Sequence, residues 1–270
     1  MPEPLSTRRA PGAGQRERSR SLARCFAFAF LAATAAWTVP VAAGEFAILP
    51  LRLHLDRSTR ATEVTIRNQD TAPLRMQAQA MSWRQDADGR DVYAPADELI
   101  FFPRTLEIPP GESRIVRVGV RAVPVTREET YRLFLEQLPP ATPEAAPAGA
   151  SLRVLLRVGV PVFVAPAQVE RKASIGGPEI RAGEVRWSVA NEGNVHFVAD
   201  RVEMKALARD GTTLFTRQFQ ERYFLAGTRK PLLSELPRGS CAQLAAVEVS
   251  VAGENVDLTR KVNVEPGACN

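Results

Sequence analysis

From residue 46 onward, apolar and polar positions alternate in short runs separated by turn residues. That is the period of a β-strand, whose successive side chains point to opposite faces. The runs are FAILPLRLHL (46–55), TEVTIRNQ (62–69), LRMQAQAMSW (74–83), ELIFFP (98–103), SRIVRVGV (113–120) and TYRLFLEQL (130–138). The seventh, LRVLLRVGVPVFV (152–164), has Leu152, Val154, Leu156, Val158, Val160, Val162 and Val164 on one parity, with Arg153, Arg157, Gly159 and Pro161 on the other. DADG (86–89) and PPGE (109–112) supply turn chemistry between runs. Seven strands in such a length predict an immunoglobulin-like sandwich. The seventh run would extend roughly 43 Å, well beyond an ordinary strand. Pro161 restricts it to a sheet edge or a strand end, because proline has no N–H for a second neighbour.

A second set follows VAPAQ: EVRWSVAN (184–191), HFVADRVEMKAL (196–207), TLFTRQF (213–219), AQLAAVEVSV (242–251) and VDLTRKVNV (256–264). No segment holds a 3.6 period long enough for a helix, and no internal repeat has a fixed spacing. The pattern predicts two β-sandwiches, residues 44–166 and 167–270, hinged near 165–168. PPATPEAAPAGAS (139–151) has no large apolar residue and reads as a mobile connection into the seventh run.

Residues 1–43 read as a secretory signal. Arg8, Arg9, Arg16, Arg18, Arg20 and Arg24 precede the uncharged stretch CFAFAFLAATAAWTVPV (25–41), and VAA (41–43) offers the small residues of a cleavage site. The apolar part is short for a membrane span, and no stop-transfer pattern follows it. With Glu3 and Glu17 the only acids there, most of the chain's formal charge of +5 belongs to this segment. The remainder is close to neutral and has no basic run, which disfavours nucleic-acid binding. The exported part keeps two cysteines, Cys241 and Cys269, readable as one disulfide or as two separate thiols.

Catalytic and metal signatures are missing. The two histidines, His54 and His196, lie within strand patterns, and His54 shares its strand face with Asp56 as an ordinary polar pair or as a base with its orienting acid. No Cys-x-x-Cys, His-x-x-x-His, nucleophile elbow or glycine-rich phosphate loop occurs. No cofactor or metal is expected. The seventh run, its proline and Arg52 between Leu51 and Leu53 point instead to an edge that accepts a strand from another chain. A plain core strand with a surface arginine is the alternative these residues leave open.

YRLFLEQLPP followed by LRVLLRVGVPVFVAP, and FFPRTLEIPPGESRIVRV (101–118), resemble the N-terminal domain of periplasmic pilus (fimbrial) chaperones of the chaperone–usher type. VTIRNQDTAPLRMQAQAMSW (64–83), with Asn68, fits that family's second and third strands, and WSVANEGNVHFV (187–198) resembles its Asn-centred turn in the second domain. The resemblance implies two immunoglobulin-like domains in a boomerang, no enzyme activity, and a periplasmic partner in the form of a pilin-like subunit, with delivery to an outer-membrane usher. It implies donor-strand complementation, in which Leu152, Val154, Leu156 and Val158 of strand 152–164 fill the subunit's groove. Arg52 takes the position of the family's carboxylate-anchoring arginine. The lysine position falls at Pro161, which places the chain in a divergent branch and leaves Arg157 as a candidate second cation. Glu128 matches an interdomain acid whose arginine partner position reads Ala165. Self-association of the free protein stays open, as does the reading as an exported structural or adhesive sandwich without a guest.

Overall fold

The computed structural model describes residues 45–124, 126–140, 154–237 and 239–265. Among these the regular structure is strand, apart from one 3-10 turn at Ser240–Ala242. The first sandwich uses β1 (Phe46–Leu49), β2 (Leu53–Leu55), β3 (Ala61–Asn68), β4 (Leu74–Gln85), β5 (Asp91–Pro95), β6 (Leu99–Phe102), β7 (Thr105–Ile108), β8 (Ser113–Val120), β9 (Glu129–Gln137) and β10 (Arg157–Val164). One sheet runs β1-β3-β8-β6, and the other β2-β10-β9-β4-β5 with β7 also on β4. The alternation is realised as expected: Val64 and Ile66, Val116 and Val118, Leu133 and Leu135, and Val160, Val162 and Val164 all point into one core.

Two expectations need correction. The run 46–55 is two strands in different sheets, because Pro50 has no N–H for a ladder and the chain crosses between layers there. The run 152–164 is not one long strand. Pairing with β9 covers Arg157–Val164, and Val154–Leu156 precede it without a strand assignment. The last bond in that direction runs from Gln137 N to Leu156 O at 2.8 Å, where β9 itself ends. Leu152 lies outside the described residues.

The second sandwich uses β11 (Ala173–Arg181), β12 (Glu184–Asn191), β13 (Phe197–Leu207), β14 (Thr213–Phe219), β15 (Tyr223–Phe224), β16 (Arg229–Glu235), β17 (Ala246–Glu254) and β18 (Val256–Asn263). Its sheets run β11-β12-β16 and β14-β13-β17-β18, with β15 on β13. Val185, Trp187, Val189, Met204, Phe224, Val247, Val249 and Val251 fill its core. The fold is therefore all-β, two immunoglobulin-like sandwiches with separate cores.

Each sandwich is tied by one buried asparagine. Asn68 Nδ2 donates to Ala72 O (2.8 Å) and Ile108 O (2.9 Å), and its Oδ1 accepts from Asp70 N (3.0 Å). Asn191 repeats the device, with Nδ2 on Val195 O (2.8 Å) and Phe224 O (2.9 Å) and Oδ1 taking Gly193 N (3.0 Å). The DADG turn is held by Asp86 Oδ1, which accepts from Asp88 N and Arg90 N at 2.9 Å each. Its Gly89 has φ +79° and lies against Lys230 of the second sandwich, so closely that a Cβ would fall 2.6 Å from Lys230 Cγ.

Candidate functional site

β10 has two different edges. Toward β9 it is paired throughout, from Arg157↔Glu136 to Val164↔Glu129. On the other side β2 runs parallel to it over only Val162↔Leu53 to Val164↔Leu55. Backbone groups alternate between the two edges. Leu156 O bonds toward β9, and Ala165 N bonds Leu55 O at 2.8 Å on the β2 side. Odd-numbered residues thus turn their backbone groups away from β9, and for Arg157 and Gly159 no strand among the described residues lies there. Pro161 sits on this same side, where its missing N–H leaves no ladder bond to β9 unmade. Just before it, Val154 and Leu156 are 66% and 44% exposed, while Val158 packs half-buried against the first core.

The outer face of the sheet carries the charges. Leu53 and Leu55 face the core, as do Leu133 and Leu135, so Arg52 and Arg132 face outward. Arg132 is the register partner of Pro161, and Arg52 precedes the Leu53↔Val162 pair by one residue. The two arginines therefore flank Pro161 in one row, their Cα atoms about two strand spacings, ~10 Å, apart. Arg52 Nη1 lies 3.3 Å from Glu254 Oε2 of the second sandwich. Arg132 Nη1 donates to Gly159 O at 3.1 Å, its guanidinium stacks 3.9 Å above Trp83, and its buried Nε has no hydrogen-bond partner.

Arg157 stands elsewhere. It lies four residues up the strand, about 13 Å away. There its guanidinium covers the Phe134 ring at 4.0 Å, and it reaches Gln79 Oε1 (3.4 Å) and Glu136 Oε2 (3.6 Å). The structure does not bring Arg157 to Arg52. Arg132 carried no signal in the sequence, where it is one polar position among several in an alternating run; only the register against Pro161 singles it out.

Below this row the two sandwiches meet through residues whose alternation had read as ordinary strand positions. Glu128 finds His196 in place of an arginine at position 165. Its Oε2 accepts from both His196 N and His196 Nδ1 at 2.8 Å, with side-chain exposures of 3% and 12%. Phe163 lies flat on the His196 ring, centroids 3.5 Å apart at 9°. His54 stacks on Phe163 at 5.5 Å and on His196 at 6.1 Å. Burial against these rings, then the proximity of His196, hold the His54 imidazole below its ordinary value of 6.5; Arg52 acts in the same direction against Glu128 and Glu254. Asp56 does not serve His54, because its Oδ1 is taken by Ser58 N (2.7 Å), Ser58 Oγ (2.6 Å) and Thr59 N (2.7 Å). Gln85 completes the joint, its Nε2 donating to Tyr223 O (3.0 Å) and its Oε1 accepting from Leu225 N (3.1 Å).

Among the described residues no group of three or more His, Cys, Asp or Glu could hold a metal ion, and no helix is long and apolar enough to cross a membrane. Cys241 is disulfide-bonded. Cys269 lies outside the described residues.

The fold is thus that of two β-sandwiches joined by polar and aromatic contacts, with a strand edge, unpaired among the described residues, beside an arginine. Residues 45–170 match the family model described as pili and flagellar-assembly chaperone, PapD N-terminal domain. The first sandwich is thus of the pilus-assembly chaperone type. No curated protein matches the sequence. Similar solved structures include a chain of the Salmonella enterica SafA pilin–SafB chaperone complex, with TM-score 0.54, 13% identity, and coverage of 82% of this chain and 98% of that one. A chain of the CsuC–CsuE chaperone–tip subunit pre-assembly complex from Acinetobacter baumannii gives TM-score 0.52, 17% identity, and coverage of 80% and 97%. The Pseudomonas aeruginosa CupB2 chaperone gives 0.51, 16%, 81% and 100%. At these identities the likeness is one of fold.

Proposed function

We propose that the protein is a non-enzymatic periplasmic chaperone that receives pilin-like subunits by donor-strand complementation and passes them to an outer-membrane usher. The observation that carries this reading is the open edge of β10, preceded by exposed Val154 and Leu156 and ending beside Arg52. An edge of this kind is an aggregation hazard unless it is used, and adding a strand is its natural use. Leu152, Val154, Leu156 and Val158 fill the subunit's groove, each contributing roughly 1.5–3 kcal/mol when fully buried. Arg52 binds the subunit's terminal carboxylate, worth about 1.5–3 kcal/mol as a charge-assisted contact. It fixes register more than it adds affinity. The known complexes of similarly folded chaperones with a pilin and with a tip subunit support a subunit as the guest. In the same reading residues 1–43 are the export signal, 44–166 the guest-binding domain and 167–270 the second domain, closed by a Cys241–Cys269 bond.

Capture from the native periplasm tests this reading. Wild-type protein should bring down a small β-rich exported protein near one-to-one, and folded Val154→Asp and Arg52→Ala should lose it. If wild type elutes alone, or its companion ignores both substitutions, the protein is a structural or adhesive sandwich.

A further inference from the structure

Resting on this strand-addition reading, we propose that Gly159 and Phe134 form a side-chain subsite on the outer face of the open edge, which selects an aromatic residue in the strand that is added. The outer row of β10 reads Arg157, Gly159, Pro161, and Gly159 is the register partner of Phe134 on β9. Its φ is not positive, so the strand conformation does not call for glycine. What calls for it is crowding above the strand. A Cβ at position 159 would lie 3.0 Å from Phe134 Cε1, 3.3 Å from Cδ1 and 3.6 Å from Arg132 Cδ. The Phe134 ring therefore leans across β10 and takes the space that a side chain at 159 would fill.

In the middle of a sheet such a ring would meet the next side chain of its own row. Here no strand among the described residues lies beside Gly159, because β2 joins β10 only from Val162. The ring is the last side chain on that row before the vacant edge. Arg157 covers it with a guanidinium 4.0 Å from the centroid, and Tyr93 meets it edge-on at 5.5 Å and 77°. It is thus held in place before any strand arrives, and it is only half-buried. An added strand would lie about 4.8 Å beyond β10. Its residue beside Gly159, with the side chain on the outer face, would meet the ring within the roughly 4.5–7 Å at which aromatic pairs attract. Arg157 and Arg132 stand on opposite sides of that position along the strand, so an aromatic face finds a guanidinium on either hand. An aliphatic side chain gains only contact area there. A carboxylate would be set against the apolar ring, and Arg157 already has Glu136 at 3.6 Å.

The test uses the full exported chain and peptides of alternating valine and threonine, N-acetylated and C-amidated, in which one threonine is replaced by phenylalanine, leucine or glutamate. Blocked ends keep terminal charges out of the comparison. The uniform repeat lets the replaced residue slip in steps of two until it stands beside Gly159. By calorimetry, wild type should bind the phenylalanine peptide roughly three- to tenfold more tightly than the leucine peptide, and the glutamate peptide no more tightly than the leucine one. Phe134→Leu should abolish the preference while holding the leucine peptide within about twofold of wild type. Gly159→Ala, whose methyl group displaces the ring, should abolish the preference as well. Four results overturn the subsite and leave strand addition intact: equal binding of the phenylalanine and leucine peptides by wild type, tightest binding of the glutamate peptide, an undiminished preference in Phe134→Leu, or equal weakening of all three peptides by that change. If Phe134→Leu does not fold, a Gly159→Ala protein with the full wild-type preference overturns it instead. Wild type binding none of the peptides overturns strand addition, and the inference with it.

Discussion

Replacing His196 by alanine removes one buried polar link between the two sandwiches without touching either core. The Glu128 carboxylate would keep His196 N but lose Nδ1, leaving a side chain only 3% exposed with one donor fewer. A hydrogen bond to a charged group contributes about 1.5–3 kcal/mol. The lost stacking on Phe163 adds about 0.5–1.5 kcal/mol. The expected loss is therefore about 2–4 kcal/mol, or roughly 5–15 °C in Tm for a chain of this size. Urea unfolding at pH 7 of wild type, His196→Ala, Glu128→Gln and the double variant isolates the pair. The two single changes should be non-additive by about 1.5–3 kcal/mol, since the second removes a group already stranded by the first. A coupling below about 0.5 kcal/mol would refute the argument and reduce the contact to packing alone.

Four other outcomes follow from the same geometry. Val154→Asp and Leu156→Asp should leave Tm nearly unchanged, because both side chains are exposed, yet weaken guest capture about tenfold or more each. Val160→Asp on the same parity is 1% exposed and should unfold the first sandwich, which circular dichroism would report. Glu254→Gln should tighten binding of a carboxylate-ended peptide by releasing Arg52 from its partner, with little cost in Tm because that pair is solvent-exposed. His54 is held below 6.5 in the folded state, so the unfolded chain binds its proton first and stability falls as pH drops below about 6.5 toward the folded value. His54→Gln should flatten Tm against pH in that window; an unchanged slope would assign the acid sensitivity to other groups.

What the sequence revealed was whatever alternation alone can carry. Val116, Val118, Leu133, Leu135, Val160 and Val162 were all readable as inward positions, because period two survives without knowledge of neighbours. β5 was not, since Asp91–Pro95 is almost wholly exposed and has no apolar face to betray it. β11 was hidden by Gly176-Gly177-Pro178, where the ladder to β12 shifts register. The site divided along the same line. Arg52 could be singled out from its own run, 46–55, whereas Arg132 depends on which residue of β10 it faces, and a one-residue change in that register would give Pro161 a different neighbour. His196 was legible as a strand residue and illegible as the partner of Glu128, because the two are 68 positions apart and on different domains.

The paired asparagines have a consequence for how such a chain can vary. Asn68 and Asn191 each stitch three backbone groups with a single amide, and each does so where a turn must meet the end of another strand, at Ile108 and at Phe224. Aspartate has the same shape but cannot donate, so it would set a buried carboxylate against two carbonyl oxygens. Elsewhere in the strands any apolar side chain of suitable volume preserves the alternation. The two halves can therefore share a plan of joinery while sharing almost no spelling, and the letters they must keep in common are those of the stitches.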